Sequence, residues 1–210
     1  MTVATGRDRR PAVPIGNTYD KYGSRNPVVR RLMAGFERAL DDLVELAAPE
    51  SLLDVGCGEA VLTYRWARRL APCRVVGIDL PDPKLEAEWA DRRHPNLELM
   101  AVASEHLPFA DKEFDLVAAI EVLEHVFDPE GMVQEMRRVA KRHLLVSVPR
   151  EPLWRVLNVA RGAYLRDLGN TPGHVNHWSR RGFFDLLGRY GELVEARSPF
   201  PWTMLLVRVS

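Results

Sequence analysis

The stretch LLDVGCGEA, residues 52–60, decides the fold. A short apolar run ends in an acidic residue, Asp54, and a Gly-x-Gly turn follows at Gly56 and Gly58. Apolar residues at helical spacing come next, over about 60–70. Glycine permits a positive φ and lets a ligand approach the backbone closely. The stretch therefore predicts a strand, a tight ligand-binding turn and a helix.

A second acidic residue, Asp79, ends the next strand-like run, 21 residues after Gly58. At this spacing, a carboxylate at the end of a second strand can bind ribose hydroxyls. A dinucleotide fingerprint needs glycine or alanine where this chain has Val61. The pattern therefore favours an adenosine-like ligand without a pyrophosphate.

Four motifs in this order and spacing resemble those of the class I S-adenosylmethionine-dependent methyltransferases. They are LDVGCG at 53–58, GID at 77–79, LPF at 107–109 and FDLV at 114–117, and the resemblance covers residues 50–150. It implies a Rossmann-like α/β fold with a seven-stranded, mostly parallel sheet, a C-terminal antiparallel hairpin and helices on both faces. It also implies S-adenosylmethionine as the cofactor. The other interpretation is a generic α/β domain whose glycines serve only the turn.

The resemblance implies a role for each residue around the turn. The backbone amides from Gly56 to Ala60 would meet the cofactor's carboxylate or ribose, and Asp54 its ammonium group. Asp79 would bind the ribose diol, and Leu80 would cover the adenine. The cofactor-binding residues implied in this stretch are Asp54, Gly56, Cys57, Gly58, Asp79 and Leu80.

The third motif departs from the family pattern. The family often has an aspartate, which holds the adenine amino group, where this chain has Ala103. Adenine recognition would then fall to Ser104, through its hydroxyl or nearby backbone, or to Glu105. Losing one of several hydrogen bonds costs on the order of 1 kcal/mol, so we expect cofactor binding to survive.

The N-terminal region divides in two. Residues 1–16 are polar and rich in charge, and predict a disordered tail. Residues 17–48 contain a helical pattern that opens at Pro27. The resemblance implies a lid over the cofactor, with Tyr19 in contact with it; the alternative is a tyrosine that only packs the helix onto the domain.

Composition limits the classes of function. The 210 residues suit one methyltransferase domain over 17–210, and the 29 basic residues balance the 29 acidic ones. This balance argues against nucleic acid as a partner. The sequence shows no signal core and no apolar run of membrane length, so we expect a cytoplasmic protein without a membrane partner. Cys57 and Cys73 are expected to pack rather than react.

Strand and helix patterns alternate along the chain, which predicts a parallel sheet with helices on both faces. Two strands joined by a short link must be antiparallel neighbours, which is what the end of the chain predicts. Strands are expected at about 51–55, 74–79, 97–102, 115–120, 143–148, 192–198 and 202–208, and helices at about 60–70, 84–92, 129–140 and 180–189.

The residues that could carry chemistry follow the fourth strand. If a helical turn starts there, Glu121, Glu124 and His125 share one face. His174 and His177 come much later, and the fold is expected to bring them to the same mouth, at the carboxyl ends of the strands.

Three hypotheses for this cluster stay open. In the first, His125 is the general base of metal-free O- or N-methylation, since Glu-x-x-Glu-His looks like the motif of ubiquinone-type O-methyltransferases. In the second, Glu121, Glu124, His125 and His174 hold a divalent metal, as the resemblance to small-RNA 3′-end 2′-O-methyltransferases implies. In the third, Glu121 helps to bind the cofactor, Glu124 and His125 cap and orient a helix, and the two later histidines order a loop before Ser179 caps the last helix.

Residues 149–178 form a long connection between the fifth strand and the last helix, predicted to contain a short helix over about 152–164. A link of this length is usually functional. We expect it to form the acceptor pocket for a small molecule, with Trp154, Tyr164, His174 and His177 as substrate contacts. The alternative, from a different class of function, is a cofactor-binding scaffold that catalyses no reaction.

Overall fold

The structure is a computed structural model that describes residues 26–102, 106–160, 162 and 164–209. The expectations for the 1–16 tail and for Tyr19, Ala103, Ser104 and Glu105 fall outside the described residues. The helices are α1 (Pro27–Ala47), α2 (Val61–Arg69), α3 (Pro83–Trp89), α4 (Pro129–Val139), α5 (Leu153–Ala160) and α6 (Arg180–Leu187). The strands are β1 (Ser51–Val55), β2 (Arg74–Asp79), β3 (Leu97–Ala101), β4 (Phe114–Ile120), β5 (Ala140–Pro149), β6 (Glu192–Arg197) and β7 (Trp202–Arg208).

One sheet contains all seven strands in the order β3-β2-β1-β4-β5-β7-β6. The first five strands pair in parallel, and β7 runs antiparallel to both β5 and β6. The predicted sheet and its C-terminal antiparallel pair are therefore confirmed. The carboxyl ends of β1, β2, β3 and β4 lie along one edge, where ligands bind in such sheets.

Helix starts follow the chemistry of their capping residues. The Asn26 side chain accepts a hydrogen bond from the Val28 amide at 2.9 Å, and proline occupies the first turn of α1. The Asp128 carboxylate accepts from the Gly131 amide at 2.8 Å, and the Ser179 hydroxyl from the Gly182 amide at 3.1 Å. A side-chain cap therefore begins each of these three helices.

The sheet separates two apolar cores. On one face, Phe36, Leu40 and Leu43 of α1 pack with Trp66 of α2. On the other face, side chains of α4 and α6 pack against the sheet, among them the fully buried Phe183. Each buried large side chain contributes about 1.5–3 kcal/mol relative to exposure. Helices therefore cover both faces of the sheet, and this packing holds in place the edge at which ligands bind in such sheets.

Three boundaries differ from the sequence prediction by about three residues or more. Strand β5 begins at Ala140, directly after α4, whereas the pattern predicted 143. No glycine or proline separates the two elements, so the sequence gives no signal for the change. Helix α5 ends at Ala160 rather than 164, and α3 ends at Trp89 rather than 92. Among the described helices, none has the length and apolar character needed to cross a membrane.

Candidate functional site

The glycine turn after β1 leaves room for a ligand above Gly58. Gly56 and Gly58 have φ of +74° and +53°, a region that L side chains rarely adopt. A Cβ on Gly56 would lie 2.6 Å from Val122 Cγ2, so that glycine permits a close protein contact. A Cβ on Gly58 would meet no atom within 4 Å, so the space above it is open.

The amides of this turn are mostly engaged within the protein. The Gly56 and Cys57 amides donate to the Ile78 carbonyl at 2.8 and 3.0 Å. The Gly58 amide donates to Asp79 at 2.6 Å, and the Ala60 amide to the Cys57 carbonyl at 2.9 Å. Four of the five amides from Gly56 to Ala60 are thus hydrogen-bonded within the protein, and their contact with the cofactor stays a prediction. The turn also offers open space above Gly58.

Asp79 lies at the end of β2, beside the turn. Its Oδ2 accepts from the Gly58 amide at 2.6 Å, and its Oδ1 from the Leu80 amide at 2.7 Å. Burial raises the pKa of this carboxyl, while the two amides oppose the rise. Each carboxylate oxygen offers about two acceptor sites. Asp79 therefore retains capacity for two ribose hydroxyls. The Leu80 side chain beside it is half exposed.

Asp54 is buried at the end of β1, with 3% of its surface exposed. The Thr63 hydroxyl of α2 donates to its Oδ2 at 2.6 Å. Burial raises the pKa of Asp54 to about 7, the Thr63 hydrogen bond lowers it and the nearby Asp79 raises it further. The carboxyl is thus poised to ionise when a cation approaches. Sequence reasoning missed Thr63, although it lies one helix turn after the glycine turn.

Trp89 also supports the turn, and sequence reasoning missed it. The side chain is buried at the end of α3. Its indole N–H donates to the Gly58 carbonyl at 2.8 Å. No periodic pattern could have indicated a contact over 31 residues to a backbone atom. Cys57, within the turn, is half-buried, and burial raises the pKa of its thiol. It fits a packing role.

Glu121 follows β4 with a left-handed backbone at φ +60°. The Ser147 hydroxyl donates to its Oε1 at 3.0 Å, and the Trp202 indole N–H to its Oε2 at 2.7 Å. Such strain in a non-glycine residue is typical of functional sites. No helical turn begins at Glu121, because the 3₁₀ turn covers only Leu123–His125. The expectation of one helical face with Glu124 and His125 is therefore wrong.

The structure does bring Glu124, His125 and His174 together. One ligand atom from each lies within 4.8 Å of the other two. Glu124 is buried with 1% exposed, and His174 with 9%. The His125 and His174 rings meet edge to face with centroids 4.9 Å apart. The sequence predicted that His174 would meet the residues that follow β4. The structure shows this for Glu124 and His125, whereas Glu121 lies outside the group.

A backbone contact of His125 determines which of its two ring nitrogens carries the hydrogen. Its Nδ1 lies 3.0 Å from the Gly173 carbonyl oxygen. A carbonyl oxygen only accepts, so Nδ1 carries the hydrogen and the neutral ring has its lone pair on Nε2. His125 can therefore accept a proton, or ligate a metal, through Nε2.

The loop that carries His174 is hydrogen-bonded through its backbone amides to the 3₁₀ turn at Leu123–His125. The Val175 and Asn176 amides donate to the Glu124 carbonyl at 2.8 and 3.2 Å. The Asn176 side chain donates to the Leu123 carbonyl at 3.0 Å. These bonds fix His174 beside His125. Sequence reasoning missed Asn176, although it lies between the two predicted histidines.

The other predicted acceptor contacts differ in placement. Trp154 stacks on His174 with centroids 6.4 Å apart, and its indole donates to the Thr171 hydroxyl at 2.9 Å. His177 instead lies at the surface, where its Nε2 is 2.7 Å from Asn170 Oδ1. Tyr164 is half-buried with a left-handed backbone at φ +54°. Only Trp154 and His174 thus join the cluster.

Comparison with known proteins identifies a methyltransferase domain over residues 53–145. The chain is 31% identical over 162 residues to a ubiquinone biosynthesis O-methyltransferase of Methylococcus capsulatus, covering 69% of this chain and 67% of that protein. It is 33% identical over 116 residues to a malonyl-[acyl-carrier protein] O-methyltransferase of Hahella chejuensis, covering 52% of this chain and 41% of that protein. The chain thus spans less than half the length of the second relative.

A solved structure supports the fold. Magnesium protoporphyrin IX methyltransferase from Synechocystis, with bound S-adenosylhomocysteine, superimposes with a TM-score of 0.65 and 18% identity, covering 90% of both chains. At this identity the likeness concerns the fold alone.

Proposed function

Because the chain belongs to the class I S-adenosylmethionine-dependent methyltransferases, we propose that it methylates an oxygen or nitrogen atom of a small-molecule acceptor, with His125 as the general base. The cofactor, when bound, supplies an activated methyl group on a sulfonium. The chain's own residues must bind the cofactor, align the acceptor and remove its proton.

The residues along the strand ends fit this cofactor. The open space above Gly58 admits a ligand close to the backbone. The Asp79 carboxylate would bind the ribose diol, since each of its oxygens can accept a further hydrogen bond, and the buried Asp54 carboxyl would meet the ammonium group. Glu121 is a third carboxylate at the same edge, which suits a cationic ligand. The roles of Leu80, and of Tyr19, Ser104 and Glu105, remain proposals from the resemblance.

The single observation that carries the catalytic proposal is the pairing of His125 Nδ1 with the Gly173 carbonyl at 3.0 Å. It leaves the lone pair of the neutral ring on Nε2, which can take a proton from an acceptor hydroxyl. His174 and Trp154 pack beside this ring and support the placement of the acceptor there.

A small-molecule acceptor is supported by one named relative, a ubiquinone biosynthesis O-methyltransferase. The other, a malonyl-[acyl-carrier protein] O-methyltransferase, supports methylation at oxygen only. The equal numbers of basic and acidic residues give no support for nucleic acid. We take the connection over 149–178 as the acceptor side of the site.

The first test is a calorimetric titration of the protein with S-adenosylmethionine, with NAD as the control ligand. We expect saturable binding of S-adenosylmethionine alone, and binding weakened at least about tenfold in Asp79→Ala, since two ribose hydrogen bonds are lost. Unchanged affinity in Asp79→Ala would show that the ribose lies elsewhere.

The second test screens acceptors, phenols and carboxylic acids first, and compares His125→Ala with His177→Ala. The His177 variant is a matched control, because that ring faces Asn170 at the surface. We expect His125→Ala to lose turnover by about 100-fold or more and to keep cofactor affinity. Full turnover in His125→Ala would refute the general-base role.

A second candidate function is methyl transfer assisted by a divalent metal. The observation that favours it is the convergence of Glu124, His125 and His174 within 4.8 Å. A carboxylate with two imidazoles suits Mn²⁺ or Zn²⁺. A cation there would hold paired acceptor hydroxyls, such as those of a catechol; the terminal ribose of an RNA is the alternative acceptor. Glu121, expected as a fourth ligand, lies outside this group.

Metal binding can be measured without turnover. Chelator-treated protein is titrated with Mn²⁺ and Zn²⁺ by calorimetry, with His174→Ala compared with His177→Ala. Saturable binding lost only in His174→Ala would support the site. Absence of binding, together with turnover that is indifferent to chelator, would remove this candidate.

A further inference from the structure

The side chain of His125 is hydrogen-bonded to a segment 48 residues further along the chain. Its Nδ1 lies 3.0 Å from the Gly173 carbonyl oxygen, which can only accept a hydrogen bond. A neutral histidine ring carries its hydrogen on one nitrogen, and the hydrogen bond of that nitrogen decides which one. The place of the Gly173 carbonyl therefore determines that the ring's lone pair lies on Nε2.

Asn176 joins the loop that carries this carbonyl to the 3₁₀ turn that carries His125. Its side-chain amide donates to the Leu123 carbonyl at 3.0 Å and also to the Val126 carbonyl. Its backbone amide donates to the Glu124 carbonyl at 3.2 Å. One residue thus bonds to carbonyls on both sides of His125.

The chemistry of the asparagine amide suits this contact. Its nitrogen has two donor hydrogens, and each of the two side-chain bonds uses one of them. Leu123 is fully buried, so its carbonyl needs a partner within the protein. An ionised aspartate has nearly the same shape but only accepts, so its carboxylate would face two carbonyl oxygens. Even this isosteric replacement therefore loses both bonds.

Loss of these bonds has a chemical consequence for the ring. The Gly173 carbonyl would no longer be held against His125 Nδ1. A neutral histidine ring favours hydrogen on Nε2 where no partner decides otherwise. The lone pair would then move to Nδ1, on the other side of the ring, and Nε2 would no longer be basic.

We propose that Asn176 is a positioning residue that holds the Gly173 carbonyl against His125 Nδ1 and so keeps the basic lone pair on Nε2. The catalytic consequence rests on the proposed function, whereas the place of the hydrogen can be measured without any acceptor. The role is the same for both candidate functions, because a general base and a metal ligand would use the same lone pair.

The test measures the place of the hydrogen directly. Protein that contains nitrogen-15-labelled histidine is studied by nuclear magnetic resonance in the presence of chelator. The spectra are recorded at about pH 8.5, about two units above the ordinary histidine pKa of about 6.5, where an ordinary imidazole is neutral. The ring nitrogen shifts distinguish hydrogen on Nδ1 from hydrogen on Nε2. The chain has six histidines, so the His125→Ala protein is used to assign the His125 signals.

The variants are Asn176→Ala, Asn176→Asp and Asn176→Ser, and the matched control is Asn96→Ala. The Asn96 side chain also donates to two backbone carbonyls, those of Ala67 and Cys73, near the amino ends of β2 and β3. The control therefore loses the same kind of hydrogen bond far from the candidate site. Thermal melting of each protein is recorded alongside.

We expect the wild type and Asn96→Ala to carry the His125 hydrogen on Nδ1. In Asn176→Ala and Asn176→Asp the ratio of the two forms should change about tenfold toward hydrogen on Nε2, which is the effect of one lost hydrogen bond. If neither variant folds, Asn176→Ser, which keeps one donor hydrogen, decides the question by a smaller shift in the same direction.

Turnover on an identified acceptor gives a second measurement. We expect Asn176→Ala to lose turnover about tenfold, less than His125→Ala because the imidazole is still present. Its affinity for S-adenosylmethionine should equal that of the wild type.

An unchanged hydrogen position in the folded Asn176 variants would overturn the proposal, whatever their melting temperatures, because a merely structural residue alters stability alone. The proposed function would then still stand. A wild-type ring with its hydrogen on Nε2 would overturn both this proposal and the tautomer on which the general-base role rests. Full turnover in His125→Ala, with a shifted hydrogen in Asn176→Ala, would refute the general base and support the positioning role.

Discussion

The indole N–H of Trp202 donates a 2.7 Å hydrogen bond to Glu121 Oε2, joining residues 81 positions apart. Trp202 begins β7, where it pairs with Pro149 of β5. The second donor to Glu121, Ser147, lies two residues earlier on β5. The antiparallel pairing of β5 with β7 therefore brings both donors to Glu121. The C-terminal hairpin, formed by β6 and β7, thus contributes to the site.

The charge of Glu121 predicts a preference between the two forms of the cofactor. S-adenosylmethionine carries a sulfonium cation, and S-adenosylhomocysteine does not. If the Glu121 carboxylate faces the sulfonium, Glu121→Gln should weaken S-adenosylmethionine binding about three- to tenfold more than S-adenosylhomocysteine binding. Calorimetric titration with both ligands measures this ratio. An equal loss for both ligands would mean that Glu121 does not face the sulfonium.

The two turn glycines predict opposite outcomes for the same substitution. Gly58→Ala adds a Cβ in open space, so the protein should fold with a loss of about 1 kcal/mol from backbone strain. The added methyl would occupy the proposed ligand space and weaken cofactor binding. Gly56→Ala places its Cβ 2.6 Å from Val122 Cγ2 and should cost more in stability, about 1–3 kcal/mol.

Urea unfolding and cofactor titration separate the two effects. A Gly58→Ala protein with wild-type affinity would place the cofactor away from this turn. A Gly56→Ala protein as stable as the wild type would show that Val122 can move aside.

Much of the fold could be predicted from the sequence, since each predicted strand appears in the sheet. Alternating apolar runs and turn residues are local signals, and the short link before Trp202 requires antiparallel neighbours. The positions of Asp54 and Asp79 at strand ends follow from the same signals. The junction of α4 and β5 was missed because Val139 and Ala140 are both apolar and nothing separates them.

The site was predicted less completely, because its contacts depend on packing. The bonds from Trp202 to Glu121 and from Arg138 to Leu107 join distant positions that only the assembled sheet and α4 bring together. The pairing of the turn amides with the Ile78 carbonyl depends on the φ values of Gly56 and Gly58. Residue type and spacing do not determine these distances.

Asp54 predicts a pH dependence of stability and of cofactor binding. Its folded pKa is about 7 against an ordinary value of 3.8, so the folded state binds more protons between these values. This proton uptake stabilises the folded state below about pH 4, and the stabilisation is lost as pH rises through 7. Asp54→Asn, which lacks this titration, should gain stability relative to the wild type as pH rises over that range.

The same ionisation should favour the cationic cofactor. Wild-type affinity for S-adenosylmethionine should increase as pH rises through about 7, the folded pKa, and Asp54→Asn should show no such increase. Denaturant unfolding and calorimetry at pH 5.5, 7 and 8.5 measure both effects. Parallel pH profiles in the two proteins would show that Asp54 does not titrate in this range.

His143 predicts the opposite trend on the acid side. The ring is buried at 8% exposure on β5, with no hydrogen-bond partner for Nδ1 among the described residues. Burial lowers its pKa below 6.5, Arg142 and Arg208 lower it further, and Asp115 opposes them. The unfolded chain therefore binds the proton first, and stability should fall as pH decreases through 6.5. His143→Leu removes the titrating ring and an unsatisfied polar atom, so the variant should lose less stability than the wild type between pH 7 and pH 5. Urea midpoints at the two pH values measure the difference, and an identical loss in both proteins would exclude His143 as a source of acid sensitivity.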